Sequence, residues 1–110
     1  MQHKIQANGA WLKHSLVFQL ANIGSEVIRA INWKEKGNTS YAQLALERAL
    51  ELFDFTMADP KNKRRLKEIC RAREVVADYC FGENEYKTPS KYLVDYFTQF
   101  TYFAAIKRGT

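Results

Sequence analysis

The two prolines of this chain each follow a residue that suits the start of a helix. Asp59 precedes Pro60, and Thr88 precedes Pro89. An aspartate or threonine side chain accepts hydrogen bonds from the first free amides of a helix, and proline, which has no amide hydrogen, is preferred at the first helical position. Each pair therefore predicts that a helix begins there, and that no helix runs through it.

Glycines mark the ends of the segments between these starts. Gly37-Asn38 and Gly82 suit the left-handed residue that commonly follows the last turn of a helix, and Thr39 or Ser40 suits the cap of the next one. No segment has the alternation that is typical of a strand. The helices predicted from these signals span about residues 10–36, 41–57, 60–81 and 89–107.

Every predicted helix carries a broad apolar face when its residues are placed at 100° steps. Gly24 lies beside the apolar stripe of the first helix and leaves room for the close approach of a partner helix. With 110 residues the chain forms one domain, 1–110, that can bury a core. Short connections favour antiparallel neighbours, so the sequence predicts an all-α, up-down-up-down four-helix bundle. On the fourth helix the stripe expected in the core is Tyr92, Leu93, Tyr96, Phe97, Phe100 and Phe103.

Several large apolar residues fall outside these core stripes. On the first predicted helix they are Trp11, Phe18 and Trp33, and on the second they are Leu44 and Phe55. Exposed hydrophobic residues on two helices indicate a second buried surface. We expect that surface to be either a contact between copies of this chain or a docking site for another protein. The alternative is that loops and the N-terminal tail cover these side chains.

Arg73 breaks the pattern in the opposite sense, because it projects into the apolar face of the third predicted helix. An unpaired guanidinium there would be very unfavourable, so the sequence predicts a buried ion pair. The other interpretation is an anion-binding site inside the bundle. The candidate partners on the first two helices are Glu26, Glu47, Glu51 and Asp54.

Positive charge is concentrated at the start of the third helix. Residues 61–73 hold seven bases and one acid, a local charge of +6, while the whole chain carries +5, so the remainder carries −1. Such a patch attracts phosphates, acidic proteins or anionic lipids, and nearby helix amides also favour phosphate oxygens. We predict an anion or nucleic-acid contact, with a merely solvated surface as the alternative. The predicted contact residues are Lys61, Lys63, Arg64, Arg65, Lys67 and Arg71.

Nothing in the sequence assembles a catalytic or metal site. The two histidines, His3 and His14, have no nucleophile or metal ligand at a useful spacing. Glu47, Glu51 and Asp54 share one helix face, but no Glu-x-x-His spacing accompanies them, as a di-iron bundle would require. There is also no glycine-rich phosphate loop. We therefore expect a protein that is not an enzyme and that needs neither a cofactor nor a metal.

The cysteines and the hydropathy pattern bear on location. Cys70 and Cys80 stand ten residues apart on one predicted helix, about 15 Å along its axis, which is beyond disulfide reach. No apolar run is long enough for a membrane span or, at the N-terminus, for a signal peptide. The expected setting is a reducing cytoplasm, with no membrane partner.

Two segments resemble known helical proteins. The runs LANIGSEVIRA (residues 20–30) and LALERALELFD (residues 44–54) are similar to the four-helix-bundle family that includes the intervening-sequence protein encoded within 23S ribosomal RNA genes. This resemblance implies oligomers that bind nucleic acid. The overall pattern also resembles HEPN-type bundles, but no histidine follows any arginine, so their catalytic Arg-x4-6-His motif is absent and ribonuclease activity is not implied.

Overall fold

The computed structural model describes Trp11, residues 14–80 and residues 87–109, with side chains up to Ile106. This part of the chain contains four α-helices and no strand, which confirms the all-α prediction. A short 3-10 helix, Pro60–Arg65, precedes the third of them. In chain order the α-helices are α1, Leu16–Glu35; α2, Thr39–Ala58; α3, Leu66–Cys80; and α4, Ser90–Gly109.

The first helix begins later than the sequence predicts. Ser15 has an extended backbone, and its hydroxyl accepts a hydrogen bond from the Phe18 amide at 3.4 Å. This serine is therefore the cap, and α1 cannot extend upstream of it. The predicted start at residue 10 lies outside the described residues.

Two adjacent residues make the junction between α1 and α2. Gly37 has a φ of 81°, in the left-handed region that glycine adopts without strain, and the amide of Asn38 donates to the Trp33 carbonyl at 2.9 Å. The Asn38 side chain then accepts from the Tyr41 amide at 3.0 Å. Asn38 therefore caps α2, where the sequence pointed to Thr39 or Ser40, because its amide oxygen lies closest to the free N–H groups.

The third predicted helix is divided into a 3-10 helix and an α-helix. Asp59 caps the segment as predicted, since its carboxylate accepts from the Lys61 amide at 3.1 Å. The amide of Asn62 donates to the Asp59 carbonyl at 3.0 Å, which is the tighter i to i+3 spacing of a 3-10 turn. The Asn62 side chain is at the same time held inside the protein by hydrogen bonds, so regular α-geometry starts only at Leu66.

Helix α1 packs against both α2 and α4, and α3 packs chiefly against α2. The closest approach occurs where Gly24 of α1 faces Phe97 of α4. A Cβ atom on Gly24 would lie 2.6 Å from the Phe97 Cβ atom, so only glycine fits there without a shift. The close approach expected at Gly24 is therefore present. The α4 residues buried in this core are Leu93, Phe97, Phe100 and Ala104.

In the described residues, α3 and α4 make few close backbone contacts with each other. The prediction that Tyr92 and Phe103 belong to the core is consequently wrong: 59% of Tyr92 and 50% of Phe103 are exposed. Both side chains lie on the flank of α4 beside its buried stripe, where a neighbouring helix would have to come closer to cover them. Among the described helices, none is both long and apolar enough to cross a lipid bilayer.

Candidate interaction surfaces and the buried polar cluster

A cluster of buried polar side chains joins three parts of the chain, and sequence reasoning missed it. At its centre, Gln19 of α1 donates to the Trp11 carbonyl at 3.0 Å and to Asp59 Oδ2 at 2.9 Å. Its Oε1 accepts from Asn62 Nδ2 at 2.8 Å, and Asn62 also donates to the Thr56 carbonyl at 3.0 Å. We call these residues the Gln19 cluster: Trp11, Gln19, Thr56, Asp59 and Asn62.

Trp11 belongs to this cluster, so its assignment to an external interface is wrong. Its side chain is 4% exposed, and its Nε1 donates to Thr56 Oγ1 at 3.1 Å. The Thr56 hydroxyl in turn donates to the Leu52 carbonyl at 2.7 Å. A large amphipathic ring that has both a buried pocket and a hydrogen-bond partner is stabilised inside the same molecule. The sequence does carry one signal for such a cluster: Gln19 and Thr56 are polar residues on helix faces that are otherwise apolar.

Asp59 is the charged member of the Gln19 cluster. Burial alone would raise its pKa, but hydrogen bonds from the Lys61 side chain, the Gln19 amide and the Lys61 backbone outweigh burial. The pKa of Asp59 is therefore held below its ordinary value. Because this carboxylate also caps the 3-10 helix, its negative charge is needed both for the cap and for the cluster.

The other predicted interface residues are covered to different degrees. Phe18, Trp33 and Phe55 are half-buried, and Phe55 packs against the core. Trp33 contacts the Tyr41 ring at a centroid distance of 4.9 Å, so near neighbours within the chain cover part of it. Leu44 is exposed. Its role in an interface stays a prediction, as does that of Phe18, Trp33 and Phe55.

The basic residues at the start of the third helix divide into paired and unpaired groups. Lys61 pairs with Asp59, and Arg65 pairs with Glu68 at 2.6 Å. Within the described part of the chain, the side chains of Lys63, Arg64 and Lys67 are exposed and form no ion pair or hydrogen bond. The sequence also predicted that free helix amides would bind a phosphate oxygen here. The Lys61 amide does not serve this purpose, because it already donates to the Asp59 carboxylate.

Arg71, the sixth base of that set, is exposed and lines a groove between α3 and α4. The groove has a volume of about 400 Å³. Its walls include Ala72 and Val75 of α3 and Tyr92 and Tyr96 of α4. It is therefore an open, largely apolar depression with a charged edge, located where the two helices fail to meet.

Arg73 forms the expected ion pair, but the pair is not buried. Its Nε lies 2.9 Å from Asp54 Oδ1, so Asp54 of α2 is the partner among the four candidates. The side chains are 33% and 57% exposed, respectively. Because α3 is set off at the edge of the bundle, the guanidinium reaches water while its stem crosses the helix surface. An exposed pair of this kind contributes about 0–1 kcal/mol.

One face of α4 carries a regular row of accessible side chains, which we call the α4 seam. It consists of Tyr92, Tyr96, Gln99, Phe103 and Ile106. Tyr96 is half-buried, and its hydroxyl donates to Glu68 Oε1 at 3.4 Å. Burial and the nearby charge of Glu68 raise the pKa of Tyr96 to about 12, so the phenol stays protonated as a donor. Ile106, at the far end, is 45% exposed.

The two cysteines are free thiols. Burial raises the pKa of Cys80 to about 11, although the charge of Lys34 opposes the shift, so the reactive thiolate is scarce at neutral pH. The Cys70 thiol lies 3.3 Å from the sulfur of Met57. In the residues that the structure describes, no group of three or more His, Cys, Asp or Glu side chains is placed to hold a metal ion.

Comparison of the chain with protein families, with curated proteins and with solved structures found no match. Within the part of the chain that the structure describes, the fold and its surfaces define the class of protein: it is all-helical, with a regular row of accessible side chains on α4, an open groove beside that row and three exposed, unpaired bases at Lys63, Arg64 and Lys67.

Proposed function

We propose that this protein is a non-enzymatic interaction protein that self-associates through the α4 seam and the adjoining groove. The observation that carries the proposal is the exposure of Tyr92, Phe103 and Ile106 in one row beside an apolar depression. A contiguous apolar surface of this kind is characteristic of a contact site. Self-association is common for small helical domains, because a single surface then serves both partners.

Two further features complete the proposal. The four helices run up-down-up-down, as their short connections favour. The protein works in the cytoplasm, since two free thiols suit a reducing compartment. Docking of a different protein on the same surface is the alternative outcome of the experiment that follows.

The test is the mass of the protein in solution at increasing concentration. We expect light scattering to show a dimer at tens to hundreds of micromolar for the wild type. Phe103→Asp should abolish it, because a charge would be buried in the contact. Ala105→Asp is the matched control, since Ala105 is exposed on the opposite side of α4, and its mass should follow the wild type. A monomer at every concentration would contradict self-association and leave only a heterologous partner.

A second candidate function is nucleic-acid binding, which the resemblance to the intervening-sequence family also implies. The observation that favours it is the set of three neighbouring bases, Lys63, Arg64 and Lys67, whose side chains are exposed and unpaired within the described residues. Such residues contact phosphates without reading sequence. Binding of this kind would be tolerant of sequence and sensitive to salt.

A further inference from the structure

The spacing of the α4 seam is that of a coiled-coil contact. Tyr92, Tyr96, Gln99, Phe103 and Ile106 stand four, three, four and three residues apart, which is the 3.5-residue repeat by which one helix packs along another. The buried stripe that packs on α1 lies beside this row. Helix α4 therefore has two adjacent packing faces, and within the described part of the chain the second contacts α3 through Tyr96 but leaves Tyr92, Phe103 and Ile106 about half exposed.

The seam is also symmetric about its middle residue to within one position. Tyr92 and Ile106 each lie seven positions from Gln99, and Tyr96 and Phe103 lie three and four positions from it. An antiparallel copy of the same helix with its two-fold axis at Gln99 therefore places Ile106 opposite Tyr92 and places Phe103 within one residue, about 1.5 Å along the helix axis, of Tyr96. We infer that the partner is a second copy of this chain, bound with α4 antiparallel to α4 about a two-fold axis at Gln99. This inference rests on the proposed self-association.

The groove determines the direction of the second helix. It flanks the N-terminal half of α4, from Lys87 to Phe97, whereas the exposed Phe103 and Ile106 lie in the C-terminal half. Antiparallel packing inserts these two side chains of each copy into the groove of the other. The groove, at about 400 Å³, far exceeds the roughly 30 Å³ that one water occupies. Parallel packing would instead bring groove against groove and leave both unfilled.

The polar residue at the centre fits this arrangement. Gln99 is exposed, and its amide group is both a donor and an acceptor, so two copies related by a two-fold axis can bond to each other reciprocally. A single polar residue within an apolar helical contact specifies register at some cost in stability. Gln99 would therefore select the one alignment in which both amides are satisfied.

The available area sets the expected strength of the dimer. Tyr92, Phe103 and Ile106 are each about half exposed, so at roughly 200 Å² per large side chain they offer about 300 Å² per copy. The groove walls and the polar rim add to this. A standard interface buries about 800 Å² per partner, so the contact falls at the weaker end of the range and calls for micromolar concentrations or higher.

Cysteine cross-linking tests both the axis and the direction. All variants carry Cys70→Ala and Cys80→Ala, which remove the two native thiols, and the circular dichroism of this parent should match that of the wild type. The mass of each protein is measured by light scattering before oxidation. Under mild oxidation we expect Gln99→Cys to form a cross-linked dimer with itself. Thr98→Cys is the matched control, because it is exposed on another side of the same turn and should stay monomeric. Tyr92→Cys mixed with Ile106→Cys should give the mixed dimer, and neither variant should cross-link alone.

Each other outcome has a distinct meaning. Cross-linking of Tyr92→Cys with itself, without the mixed dimer, would overturn the antiparallel direction. A dimer by light scattering that Gln99→Cys fails to trap would overturn the axis and leave the proposed self-association intact. A monomer at every concentration would remove the proposed function itself, and the inference with it.

Discussion

At the level of single residues, the Gln19 cluster shows how a small domain keeps polar groups inside without penalty. Gln19 and Asn62 are almost completely buried, yet each side-chain amide nitrogen donates two hydrogen bonds and the Gln19 oxygen accepts one. These contacts join the start of α1, the end of α2 and the 3-10 helix, and two of them link residues about 40 positions apart in the chain. A buried network of this kind stabilises the fold when it is satisfied and destabilises it when one member is removed.

Asp59 gives this cluster a pH dependence. Because the folded-state pKa lies below the unfolded value of about 3.9, the carboxylate stabilises the fold above that pH and ceases to do so as the pH falls through the folded-state pKa. We expect Asp59→Asn to lower the free energy of unfolding by about 1.5–3 kcal/mol at neutral pH. The acid-induced loss seen in the wild type should be smaller in the variant. Urea unfolding between pH 3 and pH 7 measures both effects.

Asp54→Asn is the matched control for this prediction. Asp54 is also an aspartate in an ion pair, but it is more than half exposed, so its replacement should change the free energy of unfolding by less than about 1 kcal/mol. If Asp59→Asn kept the full acid sensitivity of the wild type, the carboxylate would not be the titrating group.

At the level of helices, the contact between α1 and α4 depends on one missing side chain. Gly24 lets the backbone of α1 approach the Phe97 Cβ atom, which belongs to the rigid part of that residue. We expect Gly24→Ala to lower the free energy of unfolding by about 1–3 kcal/mol through overpacking. This range is the cost of overpacking alone; alanine returns about 1 kcal/mol at an ordinary helix position, so the net loss should be up to about 2 kcal/mol. Thermal and chemical unfolding measure the difference.

Ser25→Ala, one position along the same helix and exposed, provides the comparison. It should be neutral or slightly stabilising, because alanine favours the helix and the exposed Ser25 hydroxyl bonds back to the Ala21 carbonyl of its own helix at 3.3 Å. A Gly24→Ala variant that gained stability would mean that α1 and α4 are further apart than the structure has them.

At the level of the whole molecule, charge separates the two candidate functions. A chain with a net charge of +5 repels its own copies, so added salt should leave self-association unchanged or strengthen it. Nucleic-acid binding through Lys63, Arg64 and Lys67 should weaken instead. With three phosphate contacts, the affinity should fall roughly 20- to 40-fold between about 50 and 200 mM salt. Titration of labelled single- and double-stranded oligonucleotides measures this effect.

The charge-reversal variant Lys63→Glu/Arg64→Glu/Lys67→Glu should lose the binding. The control, Arg29→Glu/Lys36→Glu/Lys91→Glu, makes the same change in net charge at exposed positions elsewhere and should retain most of it. Nucleic-acid binding is eliminated as a function if no complex forms at low salt, or if the first variant binds as well as the wild type.

Local signals in the sequence predicted the four helices and several of their contacts. The cap at Asp59, the turn at Gly37 and the close approach at Gly24 each depend on atoms within one turn or on the absence of a side chain, and a short stretch of sequence carries that information. The pairing of Arg73 with an acid of the first or second helix was also predicted, because an arginine on an apolar face needs a carboxylate, although the pair with Asp54 is exposed rather than buried.

Burial could not be predicted in the same way, because it depends on how far apart two helices lie. Trp11 was expected outside and lies inside, since Thr56 and Gln19 provide its partners from distant parts of the chain. Phe103 was expected inside and is exposed, since α3 stands away from α4. Sequence periodicity shows that a face is apolar, but only the packing of the other helices decides whether that face is covered within the molecule or left open for a second one.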